Sequence, residues 1–342
     1  MQGVVFLGDR RCETRQFDKA QPGHGEVLIK IEASGICGSD LHVYRDAYAD
    51  DQIRGHEPAG TVESVGPGVR RVKVGDRVSV HHHEGCGVCA NCARGETVAC
   101  PHDKVYGVSR PGSFAEYMAA AEPNCIPIPD SAGFVDGSFM ACVGTTSYAA
   151  LRRLQVSAHE SLAVFGLGPV GLSAVIVGKA LGLRVIGMDI IDERIELAKH
   201  CGADAVVNGL ADDAVQTIRA FGRIPGIDWH DGIDYVIETS GSAAARQCII
   251  PSLKRLGKAA IVGVGSDDKV INPSDIHGRA VTLIGSVVFP LGWSWDFARF
   301  IAASGLSFGP AVTHRFSLDR SVEALQTADE GRCGKVVFLP HG

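Results

Sequence analysis

The chain has no surplus of positive charge: 33 Lys and Arg stand against 39 Asp and Glu in 342 residues, a net charge of −6. A basic footprint for nucleic acid or an anionic membrane is therefore not expected. Nor does the N-terminus, MQGVVFLGDR, carry a basic region followed by a long apolar core, so no signal peptide is expected and the location is expected to be cytoplasmic. Internal repeats, low-complexity segments and long flexible linkers are absent from the sequence. One uncharged stretch, residues 161–178, has the length of a membrane span, but the glycine-proline turn at Gly166–Pro169 interrupts it. It reads instead as strand, turn and helix. At 342 residues and 45% hydrophobic content, two domains are expected rather than one core.

What is present centres on SLAVFGLGPVGLSAVIVGKALG, residues 161–182. Ser161–Phe165 is short and apolar, like a buried strand. Gly166, Gly168 and Gly171 follow in G-x-G-x-x-G spacing, and a helix runs to about Gly182. Such glycines permit a tight turn, close approach of a pyrophosphate and close helix–strand packing, while the helix N-terminus offers free N–H groups. The motif alone is equally compatible with an ordinary glycine turn. A second strand, Arg184–Met188, ends in Asp189, at the spacing where a carboxylate accepts ribose hydroxyls and repels a 2′-phosphate, which favours NAD over NADP. Arg194 reads either as a stacking partner for adenine or as a helix-surface charge. Further strands are expected at Ala205–Val207, Tyr235–Glu238, Ala259–Val264 and Leu283–Ile284, with helices at Glu193–Cys201, Ala214–Phe221 and Ala243–Leu256. This alternation predicts an α/β fold with a doubly wound parallel (Rossmann) sheet. The residues before it, among them EVLIKIEASG and GTVESVGPGV, read as short strands with glycine turns, a β-rich region.

Eleven cysteines without a secretory signal point to metal ligands or catalytic groups rather than disulfides. Cys86, Cys89, Cys92 and Cys100 have C-x2-C-x2-C-x7-C spacing, which can close a tetrahedral site on one metal. Structural zinc is the favoured reading; an iron–sulfur cluster and two disulfides are the alternatives. Cys37, in GICGSDLH, and His56, in GHE, are good zinc-ligand types, but in isolation they fit a buried thiol and a core histidine as well.

Taken together, GICGSDLH, GHEPAGTVESVGPGV, VKVGDRV, the four-cysteine lobe, GLGPVG with Asp189, and GKVVF resemble the zinc-dependent medium-chain alcohol and polyol dehydrogenases over nearly the whole chain. The resemblance implies a β-rich GroES-like catalytic domain at residues 1–143 and 287–342 and a Rossmann dinucleotide-binding domain at 144–286. It implies NAD and two zinc ions per chain. Cys37, His56 and Cys142 would hold the catalytic zinc, with Glu57 close enough to ligate it transiently and Asp40 holding His56. Ser39 and His42 match a proton relay. Thr146 and Val170 match positions that touch the nicotinamide, and Gly263, Val264 and Gly265 are expected to pass close to it. His82 stands where relatives often place a pocket aromatic, which hints at a polar substrate; the alternative makes the HHH run a solvated strand end. Tyr48, Phe114 and Trp293 read as pocket walls or as ordinary core aromatics. The implied activity is oxidation of a secondary or polyol-type alcohol by hydride transfer to NAD. A reductase acting mainly on aldehydes or ketones and a non-catalytic nucleotide-binding relative are the alternatives. The expected partner is a small-molecule substrate, with no nucleic acid and no membrane, in a homo-dimer or homo-tetramer.

Overall fold

In the computed structural model of the chain, residues 161–182 form the hub of one of two units. The structure describes residues 1–211, 213–227, 231–265 and 271–342. They divide into Met1–Thr145 with Val288–Gly342, and Thr146–Val287.

The unit Thr146–Val287 is built on six parallel strands. Their spatial order is Ala205–Asn208, Arg184–Asp189, Ser161–Phe165, Ile233–Glu238, Leu253–Ile261 and Thr282–Gly285. The order reverses between Ser161–Phe165 and Ile233–Glu238, and every residue of those two strands is buried. Burial on both faces explains why they read as continuous rather than alternating apolar runs. The first strand ends in the glycine turn, and the helix Pro169–Ala180 begins with proline, whose missing N–H costs nothing at the first helical position. Two expectations need correction. The helix from Ala243 stops at Ser252, just past Pro251, and Leu253 enters a strand directly. That strand begins six residues earlier than expected and ends at Ile261, leaving 262–265 irregular. Ile233 pairs with Leu253 but Tyr235 with Lys258, so the chain bulges around Leu256, which has φ +64° and is exposed.

The other unit is organised on the ten-residue strand Glu26–Gly35. Its neighbours are Pro58–Val65, Tyr117–Ala121 and the C-terminal strand Lys335–Phe338, all antiparallel to it. Val27, Ile29 and Ile31 face a core with Val62, Val78, Val80 and Met118, while Lys30 and Glu32 alternate away from it. The return of the C-terminal strand to this sheet sets Lys335 beside the end of the Glu26–Gly35 strand, which leads straight into the Cys37 segment. Among the described residues no helix is long and apolar enough to cross a membrane.

Candidate active site

Cys37 caps the helix Gly38–Arg45, and its backbone N–H donates to Asp40 Oδ2 at 2.8 Å. The other oxygen, Oδ1, lies 2.9 Å from His56 Nδ1. A carboxylate only accepts, so Nδ1 carries the proton and Nε2 presents a lone pair. His56 reaches this position from a turn at Gly55, where φ is +90° and a Cβ would collide with the Phe114 ring. Only glycine fits there. Cys142 sits in the break between the helices Phe134–Ala141 and Val143–Leu154. One donor atom from each of Cys37, His56, Glu57 and Cys142 lies within 4.8 Å of the others, and all four residues are buried.

The titratable groups of the cluster shift one another strongly. The Cys142 thiol hydrogen-bonds Cys37 and holds it well below the usual thiol range, against burial and helped by His56; the same contact drives Cys142 well up. Burial works to lower the His56 imidazole, but Asp40 and Cys37 outweigh it and carry it well above its ordinary value. Burial pushes the Glu57 carboxyl up to about 7, with Lys335 pulling the other way. Neither Glu57 oxygen has a hydrogen-bond partner, although Lys335 Nζ faces Oε2 at 2.5 Å as an ion pair. Two thiols and an imidazole, with the Lys335-paired Glu57 carboxylate beside them, suit a divalent zinc ion with an open position.

The four-cysteine lobe is a second, closed cluster. Cys89 and Cys100 sulfurs are 3.8 Å apart and those of Cys86 and Cys92 4.0 Å apart, with none joined in a disulfide. A tetrahedron with Zn–S of about 2.3 Å has an edge of about 3.8 Å, so the donors already have the spacing zinc needs. Backbone N–H groups of Cys86 and His102 donate to Cys100 Sγ, and that of Cys92 to Cys89 Sγ, each at 3.4 Å. Gly85 leaves room for the Cys92 sulfur, which a Cβ would approach to 2.5 Å.

In the sheet unit, Gly166 turns with φ +86°, and Gly171 packs so closely on the Gly166 carbonyl that a Cβ would overlap it. A Cβ on Gly168 would meet nothing nearer than Arg194 Nη1, at 4.0 Å. Open space faces the middle glycine, where a close backbone approach to a ligand needs it. Asp189 ends the adjacent strand; its Oδ2 accepts the Leu167 N–H at 2.6 Å, and its Oδ1 accepts those of Ile190 and Ile191. Arg194 flanks it, with Nη1 3.8 Å from Oδ2. The guanidinium thus turns toward the glycine turn rather than standing as a helix-surface charge.

Residues 23–130 match the family model described as the alcohol dehydrogenase GroES-like domain, and residues 169–303 that described as zinc-binding dehydrogenase. The chain is 35% identical, over 99% of its length, to the uncharacterized zinc-type alcohol dehydrogenase-like protein YphC of Escherichia coli K12, covering 98% of it. The chain belongs to the zinc-dependent medium-chain alcohol dehydrogenase family. The dehydrogenase is also 34% identical to the L-threonine 3-dehydrogenase of Pyrococcus horikoshii, over 96% of this chain and 95% of that one. Among solved structures it matches the Escherichia coli CFT073 alcohol dehydrogenase rspB, solved with NADH, at a TM-score of 0.88 and 25% identity over 99% of both chains. It matches a zinc-binding dehydrogenase of Sinorhizobium meliloti 1021, bound to NADP, at 0.88 and 27% identity, again over 99% of both chains.

The remaining sequence-predicted residues of the dehydrogenase fall into two groups. Ser39 is exposed, with Oγ 3.4 Å from His56 Nε2, and His42 is exposed one turn along the same helix. His82 is buried, its ring 5.0 Å from that of His56, and its Nδ1–H donates to Ala141 O at 2.9 Å. Burial holds its pKa well down, and that of His81 at about 4. The reading of HHH as a solvated strand end is overturned: His81 is held by the Phe289 carbonyl at 3.0 Å, and His83 pairs with Asp103 at 2.8 Å. Val170 opens the helix after the glycine turn, its carbonyl accepting from Ser147 Oγ, and Thr146 is buried on the helix Val143–Leu154. Gly263 and Gly265 run against Gly241 backbone to backbone, and Val264 is 77% exposed.

The aromatic residues fare differently. Phe114 is fully buried against Phe338 and under Gly55, so it props the His56 turn and walls no pocket. Tyr48 is 62% exposed in the loop after the Gly38–Arg45 helix, and Trp293 is half-buried in the first turn of the helix Leu291–Ser304. Two residues escaped notice in the sequence. Glu238 is fully buried at a strand end, and its Oε1 accepts from Ser240 and Gly241 N–H groups. Next to it, Thr239 Oγ1 donates to the Gly166 carbonyl at 2.7 Å. An acid closing an otherwise apolar strand, VIE, was the available signal.

Proposed function

We propose that this dehydrogenase oxidises a secondary or polyol-type alcohol with NAD, with catalytic zinc held by Cys37, His56 and Cys142 and structural zinc held by Cys86, Cys89, Cys92 and Cys100. The observation that carries the reading is the buried cluster of three donors and the Glu57 carboxylate within 4.8 Å. Zinc held there supplies a Lewis acid that makes an alcohol more acidic, and the nicotinamide supplies a hydride acceptor. Asp40 fixes the His56 tautomer so that Nε2 faces the other donors. Ser39 Oγ accepts the alcohol proton as its own hydroxyl proton leaves toward His42, which is exposed on the same helix and releases a proton to water. In the other unit, Gly166, Gly168 and Gly171 cradle the pyrophosphate at the helix N-terminus, Asp189 accepts from the ribose, and Arg194 closes the turn. Thr146, Val170 and the 263–265 segment flank the nicotinamide. Catalysis and zinc binding thus belong to residues 1–143 and 287–342, and dinucleotide binding to 144–286.

The substrate class rests on His82. Because Nδ1–H is taken up by Ala141 O, Nε2 is left as an acceptor beside the His56 ring. An acceptor there suits a substrate with a hydroxyl or ammonium next to the reacting carbon. The relationship to a protein named for L-threonine is in keeping with this. We place the enzyme in the cytoplasm as a homo-dimer or homo-tetramer. The deciding experiment counts zinc per chain by elemental analysis of protein purified without chelator, then screens polyols, amino alcohols and simple alcohols with NAD. Two zinc ions and NADH from a polar secondary alcohol support the reading; one zinc ion and no NADH from any alcohol overturn it.

A further expectation concerns Asp40→Asn. The amide keeps one acceptor oxygen where Asp40 serves both the Cys37 N–H and the His56 Nδ1–H. Zinc affinity of the catalytic cluster should fall about 10- to 100-fold, read by chelator competition, while the cysteine-lobe zinc stays.

A further inference from the structure

Lys335 is the only lysine in the described residues with no exposed surface. Full burial of an ammonium is costly unless it is paired, and a lysine at a strand start has an easier alternative in pointing outward. Its Nζ donates to the Ile36 carbonyl at 2.9 Å, one residue before Cys37, and faces Glu57 Oε2 at 2.5 Å. The Phe139 ring lies 5.8 Å from Nζ. Space for the pair is made by Gly35, where a Cβ would strike both Glu57 Oε2 and Lys335 Cε. Glu57 is fully buried, and its Oε1 touches no donor. Its carboxylate therefore has two competing partners: the ammonium on one side and whatever cation the Cys37–His56–Cys142 donors hold on the other.

We propose that Lys335 is a positioning residue that holds Glu57 off the metal and so keeps the fourth coordination position open. The inference rests on the assignment of the metal to Cys37, His56 and Cys142. Charge counting gives the reason. A divalent cation and two thiolates are neutral together; Glu57 would add one negative charge, and Lys335 cancels it. Remove the ammonium and a buried carboxylate is left without a counter-ion, a state that costs several kcal/mol in general. The nearest relief is the metal, because a Glu57 oxygen already lies within 4.8 Å of the other three donors. Glu57 then becomes the fourth ligand, and the site closes to outside ligands.

The test uses cobalt-substituted enzyme, whose visible spectrum reports the ligand set, titrated with imidazole as an exogenous ligand. Lys335→Met keeps the length and removes the charge. Its spectrum should differ from wild type before imidazole is added, and its imidazole affinity should fall at least about 10-fold. The double variant Lys335→Met/Glu57→Gln should recover to within about 3-fold of wild type, because the amide is a poor ligand for the metal. Lys335→Met binding imidazole as wild type does would overturn the proposal, and so would failure of the double variant to recover. Should Lys335→Met not hold its cobalt, Glu57→Gln alone decides. With Lys335 present it should bind imidazole within about 3-fold of wild type, whereas a gain of about 10-fold or more would place Glu57 on the metal already and overturn the proposal. A wild-type enzyme that takes up one cobalt per chain and gives no imidazole response sinks the metal assignment itself, which separates that failure from the failure of the Lys335 role.

Discussion

Replacing Cys37 with alanine is expected to remove one of two zinc ions per chain and to lower kcat/KM by at least about 10³-fold, while NADH binding survives. Of the three donors proposed to hold zinc, the cluster keeps only His56 and Cys142. Glu57 is near enough to substitute, but its carboxylate replaces the softer thiolate only at a loss of zinc affinity. The ion pair with Lys335 would also have to be given up. Three observations must therefore move together. Elemental analysis should give one zinc per chain, NADH formation should vanish, and fluorescence titration with NADH should change by less than about 3-fold, because the glycine turn and Asp189 belong to a different unit of the chain. Turnover close to wild type in a variant verified to have lost one zinc would remove Cys37 from the mechanism. The thermal transition provides the control. The cysteine lobe keeps its own four donors, so the melting temperature should fall far less than in a variant of Cys89, where a closed structural site is broken.

Legibility differed with the reach of the interaction. The cysteine lobe was readable because all four donors lie within one short loop, so spacing alone restricts the geometry. Ser161–Phe165, the glycine turn and Asp189 were readable for a similar reason: strand, turn, helix and next strand are consecutive. The second cluster was not. Cys37, His56 and Cys142 come from three separate breaks in regular structure, and only the resemblance joined them in advance. The Glu57–Lys335 pair depends on the C-terminal strand returning to the side of Gly35, a topological fact with no local sequence sign. At Phe114 the sequence left pocket wall and core aromatic open, and the core reading holds because the ring packs against the bare face of Gly55. Ala243–Leu256 carried a helical pattern through Pro251, and the sheet overrode it at Leu253, which pairs with Ile233.

Asp189→Ser is expected to shift the cofactor preference toward NADP without any added cation. In the structure the Asp189 carboxylate is largely occupied: three of its roughly four lone-pair sites accept from Leu167, Ile190 and Ile191. The remaining site, on Oδ2, is left for a ribose hydroxyl in the proposed reading, and Arg194 stands beside it at 3.8 Å. An NADP 2′-phosphate placed there meets a carboxylate a few ångström away, a repulsion of about 2–4 kcal/mol at the intermediate dielectric of a partly buried site. Serine removes that repulsion and releases Arg194, whose Nε has no partner, to pair with the phosphate bidentately. The ratio of kcat/KM for NADP over NAD should rise by about 30- to 1000-fold, the repulsion converted at 1.4 kcal/mol per decade. Double replacement with Arg194→Ala should cancel most of the NADP gain, because the released cation is then gone. The same substitution leaves three backbone N–H groups without their acceptor, so it should also lower the melting temperature, and a serine hydroxyl can recover at most part of that. Adding saturating NADP should restore more of the lost stability in Asp189→Ser than adding NAD, since ligand stabilisation follows affinity. An unchanged kcat/KM ratio, with or without the drop in melting temperature, would show that Asp189 builds the turn but does not read the ribose.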